Sequence, residues 1–194
     1  MISSRKDLKE YLLADKKQLG ITRKFPRPFT DEIWKYEITL RKYEYWMNRG
    51  GGKRGKIEKL MEQIYKLLHH RNSVKLGIGI GPNCCGKGLS IAHTGTIQIN
   101  GDARVGDNLR IQEGVTIGAG SGGVPTIGSN VYLGSGCKVI GNVKIADDCA
   151  VGANAVVVKD VLEKGITVAG VPAKKVSDNN SHSSVFWFND GKPC

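Results

Sequence analysis

An aliphatic residue recurs at every sixth position through most of the C-terminal half of this 194-residue chain, and this period constrains the fold more than any other feature. Glycine often follows the aliphatic residue. A repeat of fixed length indicates that one small structural unit is stacked many times. The aliphatic positions are Ile99, Val105, Ile111 and Ile117, and then Ile127, Leu133, Val139, Ile145, Val151 and Val157.

The residue types within each repeat predict a parallel β-helix. Each hexapeptide would form one short, flat side with its aliphatic side chain pointing inward, and the following glycine, asparagine or aspartate tolerates the corner conformation. Three sides would close a coil of about 18 residues, and coils must stack because one coil cannot bury its own inward face. Small residues two positions before the aliphatic ones, such as Cys137 and Cys149, are predicted to fill the narrow interior.

The repeat slips by four residues between Ile117 and Ile127, where the glycine-rich segment GAGSGGVPT (118–126) lies. A glycine-rich insertion at a corner predicts a projecting loop. The loop is either a tolerated surface insertion or a cover over a binding groove, and the sequence alone does not separate these alternatives.

The N-terminal part of the chain has a helical period instead. A first helix is predicted from a cap at Ser3 or Ser4 to about Leu19, and the proline-rich segment 25–29 separates it from a second helix that starts near Thr30. Apolar residues at spacings of three and four mark one face of each later helix. These faces comprise Ile33, Tyr36, Leu40, Tyr43 and Met47, and then Ile57, Leu60, Met61, Ile64, Tyr65 and Leu68.

The change of period divides the chain into three parts. Residues 1–75 are predicted to form a basic α-helical region, in which the glycine-rich segment 49–55 separates the second helix from the third. Residues 76–176 are predicted to form the β-helix, so the fold class is mainly β with a helical N-terminal region. Residues 177–194 form a tail, polar at first and then apolar.

The positive charge is concentrated in the helical region. Residues 1–75 hold 19 of the 29 Lys and Arg residues but only 9 of the 18 Asp and Glu residues. We interpret this first as the solvated faces of basic helices, with peripheral binding to an anionic membrane as the alternative. No nucleic-acid-binding motif is present, so we expect no nucleic-acid partner.

Compartment is predicted from three features of the chain. There is no apolar run of the roughly 18 residues that a transmembrane helix needs, and the N-terminal segment lacks the apolar core of a secretory signal. Cys84 and Cys85 are adjacent, and the five cysteines do not form the pattern of a disulfide framework. We therefore expect reduced thiols and a cytoplasmic location.

Four motifs within residues 76–176 resemble the hexapeptide-repeat acyltransferases, and most closely their serine acetyltransferase-like branch, which includes O-acetyltransferases of capsular and exopolysaccharide synthesis. The resemblance implies a left-handed parallel β-helix, a homotrimer with active sites between subunits, and acetyl-CoA as the acetyl donor. Pairing of two trimers through the N-terminal helices is left open. The motifs are GLSIAHTG (88–95), VYLGSGCKVIGNVKI (131–145), VGANAVVVKD (151–160) and AGVPAK (169–174).

The resemblance places His93 at the position of the family's catalytic histidine. Acetyl transfer to a hydroxyl needs a base for the hydroxyl proton and a donor for the developing oxyanion, and it needs no metal. Histidine suits the base because its ordinary pKa of about 6.5 lies near neutrality. The other three histidines end a helical stripe or lie in the tail.

Two departures separate this chain from the serine acetyltransferases that it resembles. Ala92 stands where they carry an aspartate before the histidine, and a second aspartate upstream is also missing, so we expect Glu113 of the next coil to orient His93, with Asn83 as an alternative. The loop exits as GGVPT (122–126), without the Arg-His pair that binds the amino-acid carboxylate. This absence favours a neutral sugar hydroxyl as the acceptor.

The resemblance also implies the residues that meet coenzyme A. Ser135 and Ala153 match positions along the pantetheine arm, largely through backbone groups. Lys159 and Lys174 match basic positions near the nucleotide phosphates, where a lysine acts as a compact charge. A solvated surface is the alternative role for each lysine.

We therefore predict an acetyl-CoA-dependent O-acetyltransferase that acts on a sugar or polysaccharide precursor, with serine O-acetyltransferase as the alternative. Two other classes are less well supported. A zinc enzyme resembling a trimeric carbonic anhydrase would need three histidines at each subunit interface, whereas only His93 lies in the repeat. A non-catalytic scaffold would not require the His93 and lysine motifs.

Overall fold

The computed structural model describes residues 1–49 and 55–184. Most of the glycine-rich segment 49–55 and the apolar end of the tail lie outside the described residues. The helices are α1 (Arg5–Gln18), α2 (Glu32–Asn48) and α3 (Lys56–Leu76), and a 3₁₀ turn spans Ser181–Ser184. The strands are β1 (Ile78–Ile80), β2 (Ser90–Ile91), β3 (Ile97–Ile99), β4 (Arg104–Val105), β5 (Arg110–Ile111), β6 (Thr116–Gly118), β7 (Thr126–Ile127), β8 (Tyr132–Leu133), β9 (Lys138–Ile140), β10 (Lys144–Ile145), β11 (Ala150–Val151), β12 (Val156–Val157), β13 (Thr167–Ala169) and β14 (Lys174–Ser177).

Strands β1 to β13 form a parallel β-solenoid of about five turns, which confirms the predicted fold class. Its three faces are sheets in the orders β1-β3-β6-β9-β12, β10-β7-β4 and β14-β13-β11-β8-β5-β2. Paired neighbours are parallel throughout, except that β14 runs antiparallel to β13 and closes that end of its sheet. Among the described helices, none is both long and apolar enough to span a bilayer.

The register confirms both the repeat and its four-residue slip. Ile127 pairs with Ile145, which is the 18-residue step of a regular coil. Val105 pairs with Ile127, a step four residues longer, because segment 118–126 is accommodated between them. That segment is a loop whose Gly120 and Gly123 bridge each other, so the insertion projects from a corner.

The inward-facing aliphatic residues form one continuous core. Ile111, Val139 and Val151 are fully buried, as are the predicted core residues Cys137 and Cys149. All four cysteines in the described part of the chain are free and buried. Burial raises the pKa of the Cys137 thiol to about 12, so this thiol stays protonated and acts as a small apolar side chain.

Helix α1 begins as the sequence predicts, and its N-cap is the second of the two candidate serines. The Ser4 hydroxyl accepts from the Asp7 backbone N–H at 3.1 Å, and the Asp7 carboxylate accepts from the Ser4 backbone N–H at 2.9 Å. This reciprocal capping box satisfies two helix-terminal donors, and Asp7 also complements the helix dipole.

The apolar faces predicted for α2 and α3 are only partly correct. Tyr36 and Leu40 are buried, but Met47 is 37% exposed, and the face of α2 that packs on the β-helix includes charged side chains instead. Most of the predicted face of α3 is exposed in the single chain. Periodicity identified these helices, but it did not identify which face each one buries. The exposed α3 residues are Ile57, Leu60, Ile64 and Leu68.

Arg41 of α2 is the centre of the contact between the helices and the first coil. Its fully buried guanidinium donates to Asp15 of α1 at 2.7 Å and to Glu44 at 3.0 Å. It also donates to the carbonyl oxygens of Cys85 and Gly86 at 3.0 and 2.6 Å. The two carboxylates balance the buried cation, and the carbonyls occupy its remaining donors.

The same helices also bind the free backbone N–H groups of the first coil. The Asp15 carboxylate accepts from the Gly88 and Leu89 N–H groups at 2.7 and 2.9 Å. Glu37 accepts from the Ile91 N–H at 3.1 Å. An edge strand without a partner exposes such groups to solvent or to aggregation, so α1 and α2 act as a cap on the open end of the β-helix.

Removing the Arg41 guanidinium should strongly destabilise the protein. In Arg41→Ala, the carboxylates of Asp15 and Glu44 remain buried without their counter-ion, so we expect a loss of about 3–5 kcal/mol in unfolding free energy. Urea denaturation followed by circular dichroism measures this loss. The control is Lys144→Ala at an exposed position, which should change stability by less than about 0.5 kcal/mol. A loss below about 1 kcal/mol for Arg41→Ala would show that the cap does not depend on this residue.

Glu37 should make stability depend on pH. Burial raises the pKa of its carboxyl well above the ordinary 4.5, and the nearby Asp15 raises it further. The folded state therefore holds a proton that the unfolded state releases, so stability falls as pH rises above about 4.5 towards the raised pKa. Glu37→Gln has no titrating carboxyl at this position, so its stability should fall less as the pH rises. The melting temperature of this variant, relative to that of the wild type, should therefore increase as the pH rises above about 4.5. Parallel curves for the two proteins would contradict the assignment.

Candidate active site

Four of the predicted site residues stack in one column along a corner of the β-helix. Each lies two residues after a strand of the six-stranded sheet, and those strands pair in register from coil to coil. The column therefore runs along the edge between the six-stranded and five-stranded faces. Its members, one in each of four successive coils, are His93, Glu113, Ser135 and Ala153.

The corner that carries His93 is wider than the corners beside it. Ile91 pairs with Ile111 and Ile99 pairs with Ile117, so this corner holds two residues more than the next. A regular 18-residue step would place His93 beside Ile111, but the structure shifts the pairing by two residues, because Ile91 pairs with Ile111. The longer turn leaves His93 exposed, and Glu113, which was expected to lie nearby, is close enough for His93 to lower the pKa of its carboxyl.

The Glu113 carboxyl interacts with Ser135 of the following coil and with His93 of the preceding coil. Hydrogen bonding with the Ser135 side chain lowers the pKa of the Glu113 carboxyl, and the proximity of His93 lowers it further. Within the described part of the chain, its Oε2 is shielded from solvent and accepts no hydrogen bond. An ionised carboxylate with one unused oxygen is suited to orient an imidazole.

The column also offers backbone donors. The corner residues Gly114, Gly136 and Asn154 have positive φ angles of 73°, 73° and 56°, and this turn points the preceding peptide groups away from the coil-to-coil ladder. Among described residues, the N–H groups of Ser135 and Ala153 have no acceptor. Such donors suit the carbonyl oxygens of an extended ligand or a developing oxyanion.

The alternative orienting residue, Asn83, belongs to the helical cap. Its backbone N–H donates to Glu44 at 2.8 Å, and its side-chain amide pairs with that of Asn48 at 2.7 and 3.1 Å. These contacts occupy Asn83 on α2, so it is not available to His93. The expectation for Asn83 is therefore wrong.

The two predicted phosphate-binding lysines lie away from the His93 column. Lys159 follows β12 at the other edge of the five-stranded face, the same corner from which loop 118–126 projects. Lys174 begins β14, beyond the last coil of the six-stranded sheet. Both lysines are exposed. One chain therefore does not bring these lysines together with His93.

A cavity of about 320 Å³ adjoins the corner before His93, and the sequence analysis did not identify it. Its wall combines Ala92, the apolar side chains of Ile33 and Trp34, the cation Arg110, and the carboxylate of Asp31, which is paired with Arg23. Arg110 pairs in register with Ser90 and donates to its hydroxyl at 2.7 Å. Burial lowers the pKa of Arg110, which reflects poor hydration of this cation. A partly desolvated guanidinium is a strong site for an anionic group.

A family model described as "Bacterial transferase hexapeptide (six repeats)" matches residues 125–159. This match covers part of the β-helix and agrees with the repeat read from the sequence. The resemblance to hexapeptide-repeat transferases is thereby confirmed.

Relatives by sequence are serine acetyltransferases. The enzyme of Mycobacterium tuberculosis is 41% identical over 109 residues, which are 53% of this chain and 47% of that protein. The enzyme of Helicobacter pylori is 40% identical over 107 residues, which are 52% of this chain and 61% of that protein. The chain spans about half the length of the curated relatives it matches.

The similarity to solved serine acetyltransferase structures extends over about nine tenths of this chain. A Brucella abortus serine acetyltransferase in complex with coenzyme A has a TM-score of 0.69 and 25% identity, covering 91% of this chain and 70% of that one. A Neisseria gonorrhoeae serine acetyltransferase in complex with serine has a TM-score of 0.64 and 27% identity, covering 90% and 71%. This chain therefore shares the fold of these enzymes and is similar in sequence to serine acetyltransferases over about half of its length.

Proposed function

We propose that this protein is an acetyl-CoA-dependent O-acetyltransferase in which His93 is the general base. The observation that carries the proposal is the column of His93, Glu113 and Ser135, with an exposed imidazole beside an ionised carboxylate. The serine acetyltransferases among its relatives and the coenzyme A complex of a similar structure support the donor.

The chemistry follows from the groups in the column. His93 takes the proton of the acceptor hydroxyl as the hydroxyl oxygen attacks the thioester carbonyl carbon. Glu113 holds the ring and stabilises the imidazolium that forms. A free backbone N–H stabilises the oxyanion, and His93 then returns the proton to the departing thiolate sulfur as the carbon–sulfur bond breaks.

Coenzyme A would lie along the β-helix surface in this proposal. The unpaired N–H groups of Ser135 and Ala153 fit the amide oxygens of the pantetheine arm, and Lys159 and Lys174 fit the phosphates. Because these lysines lie at other edges of the same chain, the proposal requires that neighbouring subunits of a homotrimer share each site. A closed threefold assembly brings different corners of adjacent prisms together.

Two acceptors are proposed, and each rests on a different observation. L-serine is supported by the relatives and by Arg110, which supplies a cation for a carboxylate near Ala92 although the loop lacks its Arg-His pair. A sugar hydroxyl is supported by that missing pair and by Ala92 in place of an aspartate. The comparisons favour L-serine.

His93→Ala should abolish acetyl transfer. Loss of a positioned general base costs typically 10²–10⁴-fold in rate, and we expect a fall of at least about 10²-fold in kcat. Release of free coenzyme A thiol, followed with a chromogenic disulfide, measures the rate. His70→Ala, at an exposed position on α3, is the control and should keep the wild-type rate. A near-normal rate for His93→Ala would remove this residue from its proposed role.

Arg110 distinguishes the two acceptors. If L-serine is the substrate, Arg110→Gln should raise the KM for serine about tenfold or more while the KM for acetyl-CoA stays unchanged, because the contact with the serine carboxylate is lost. Arg110→Lys should recover part of the affinity. Turnover with neutral sugars but not with serine, or a serine KM that does not respond to Arg110→Gln, would favour the sugar acceptor.

A further inference from the structure

A groove on the outer face of the helical region is lined by none of the residues proposed for acetyl transfer. It lies between α1, α2 and the linker that joins them, and its volume is about 640 Å³. Its floor is apolar and its rim is basic. The apolar lining residues are Leu8, Leu12, Leu13, Phe25, Pro26, Trp34 and Ile38, and the basic ones are Arg5, Lys9, Lys16, Lys24 and Lys42.

Large apolar side chains stand out from the surface at this groove. Phe25 is 69% exposed and Leu13 is 55% exposed. Phe29, four residues further along the same linker, is 93% exposed. These two phenylalanines lie on one short proline-containing linker, so they would be among the first side chains to contact a partner that docks here. Isolated exposed apolar residues are common, but a cluster of them beside a groove marks an interaction site.

The rim is positive and largely unneutralised. The lining residues contribute five cations and no carboxylate. Within the described part of the chain, Arg5, Lys9, Lys24 and Lys42 form no ion pair with an acidic side chain, whereas Lys24 lies 5.4 Å from the Phe25 ring centroid. A cation beside an exposed aromatic ring combines charge attraction with an apolar anchor.

We propose that this groove and its linker dock on an anionic phospholipid bilayer, with Phe25 and Phe29 inserted at the interface and the rim lysines on the lipid phosphates. Amphipathic helical surfaces with basic residues around an apolar patch bind membranes in this way. Charge argues against the same groove of a second copy as the occupant, because the groove is lined by five cations and no carboxylate, and like charges repel.

The groove also has a defined position relative to the cavity beside His93. Trp34 lines both the groove and the Arg110 cavity, so these two concave surfaces lie on either side of one buried indole. Docking through the groove would therefore hold the cavity close to the bilayer. This proposal does not depend on the identity of the acceptor.

Vesicle sedimentation of the full chain tests the proposal. At 0.15 M NaCl the protein should bind vesicles of phosphatidylcholine and phosphatidylglycerol mixed 1:1, and should bind pure phosphatidylcholine at least about tenfold more weakly, since each basic residue near an anionic surface contributes about fivefold. The double variant Lys9→Glu with Lys24→Glu should lose at least about tenfold in affinity. Lys66→Glu with Lys144→Glu changes the net charge equally at exposed positions outside the groove, and should lose less than about twofold.

A second pair of substitutions separates insertion from charge. Phe25→Ser with Phe29→Ser leaves the net charge unchanged and should also weaken binding to the mixed vesicles about tenfold, because the apolar anchor is lost. Unchanged melting temperatures and unchanged acetyl transfer in solution would show that all variants fold. Failure of the proposed acetyl transfer and failure of the proposed membrane binding can therefore be distinguished, because each assay can succeed without the other.

Three results would overturn the proposal. The first is no binding of the wild type to the mixed vesicles at 0.15 M NaCl. The second is equal loss in the groove and control lysine pairs, which would mean that only net charge matters. The third is a change in molecular mass by light scattering for the groove variants, which would identify the groove as an interface between copies of the chain.

Discussion

The structure depends on how the first coil of the β-helix is closed. A stack of parallel coils leaves backbone donors and acceptors unpaired at each end, and unpaired edges are unstable in water. At the C-terminal end the chain solves this by reversing into β14, which runs antiparallel to β13. At the N-terminal end, side chains of α1 and α2 take the place of a missing strand, and the buried Arg41 guanidinium joins both helices to the coil.

The cap has a functional consequence because it lies beside the site. Glu37 binds the Ile91 N–H, and two residues later the chain turns outward at His93. The wide corner at His93 is the first corner above the cap, so the position of the imidazole depends on how firmly this coil is held. The Arg110 cavity is likewise built from both parts, with Trp34 on α2 and Ala92 on the first coil.

The charge and the exposed apolar residues of the surface also differ between the β-helix and the helical region. The β-helix carries nearly balanced charge, whereas the helical region holds most of the excess lysine and arginine. Exposed apolar residues are found on α3 and on the linker before α2, away from the His93 column. The inner faces of the helices therefore stabilise the first coil, and their outer faces are available for association with a partner.

The repeat, the core cysteines, the four-residue insertion and the position of His93 at the start of the coils could all be predicted from the amino-acid sequence. These features are local, because the period and the residue types at each corner record the path of the backbone directly. The folded structure was needed to show that His93 lies in a corner two residues wider than the next one, with Glu113 nearby. It alone decided that Glu37, Arg41 and Glu44 face inward, because pairing a buried charge requires partners from distant parts of the chain.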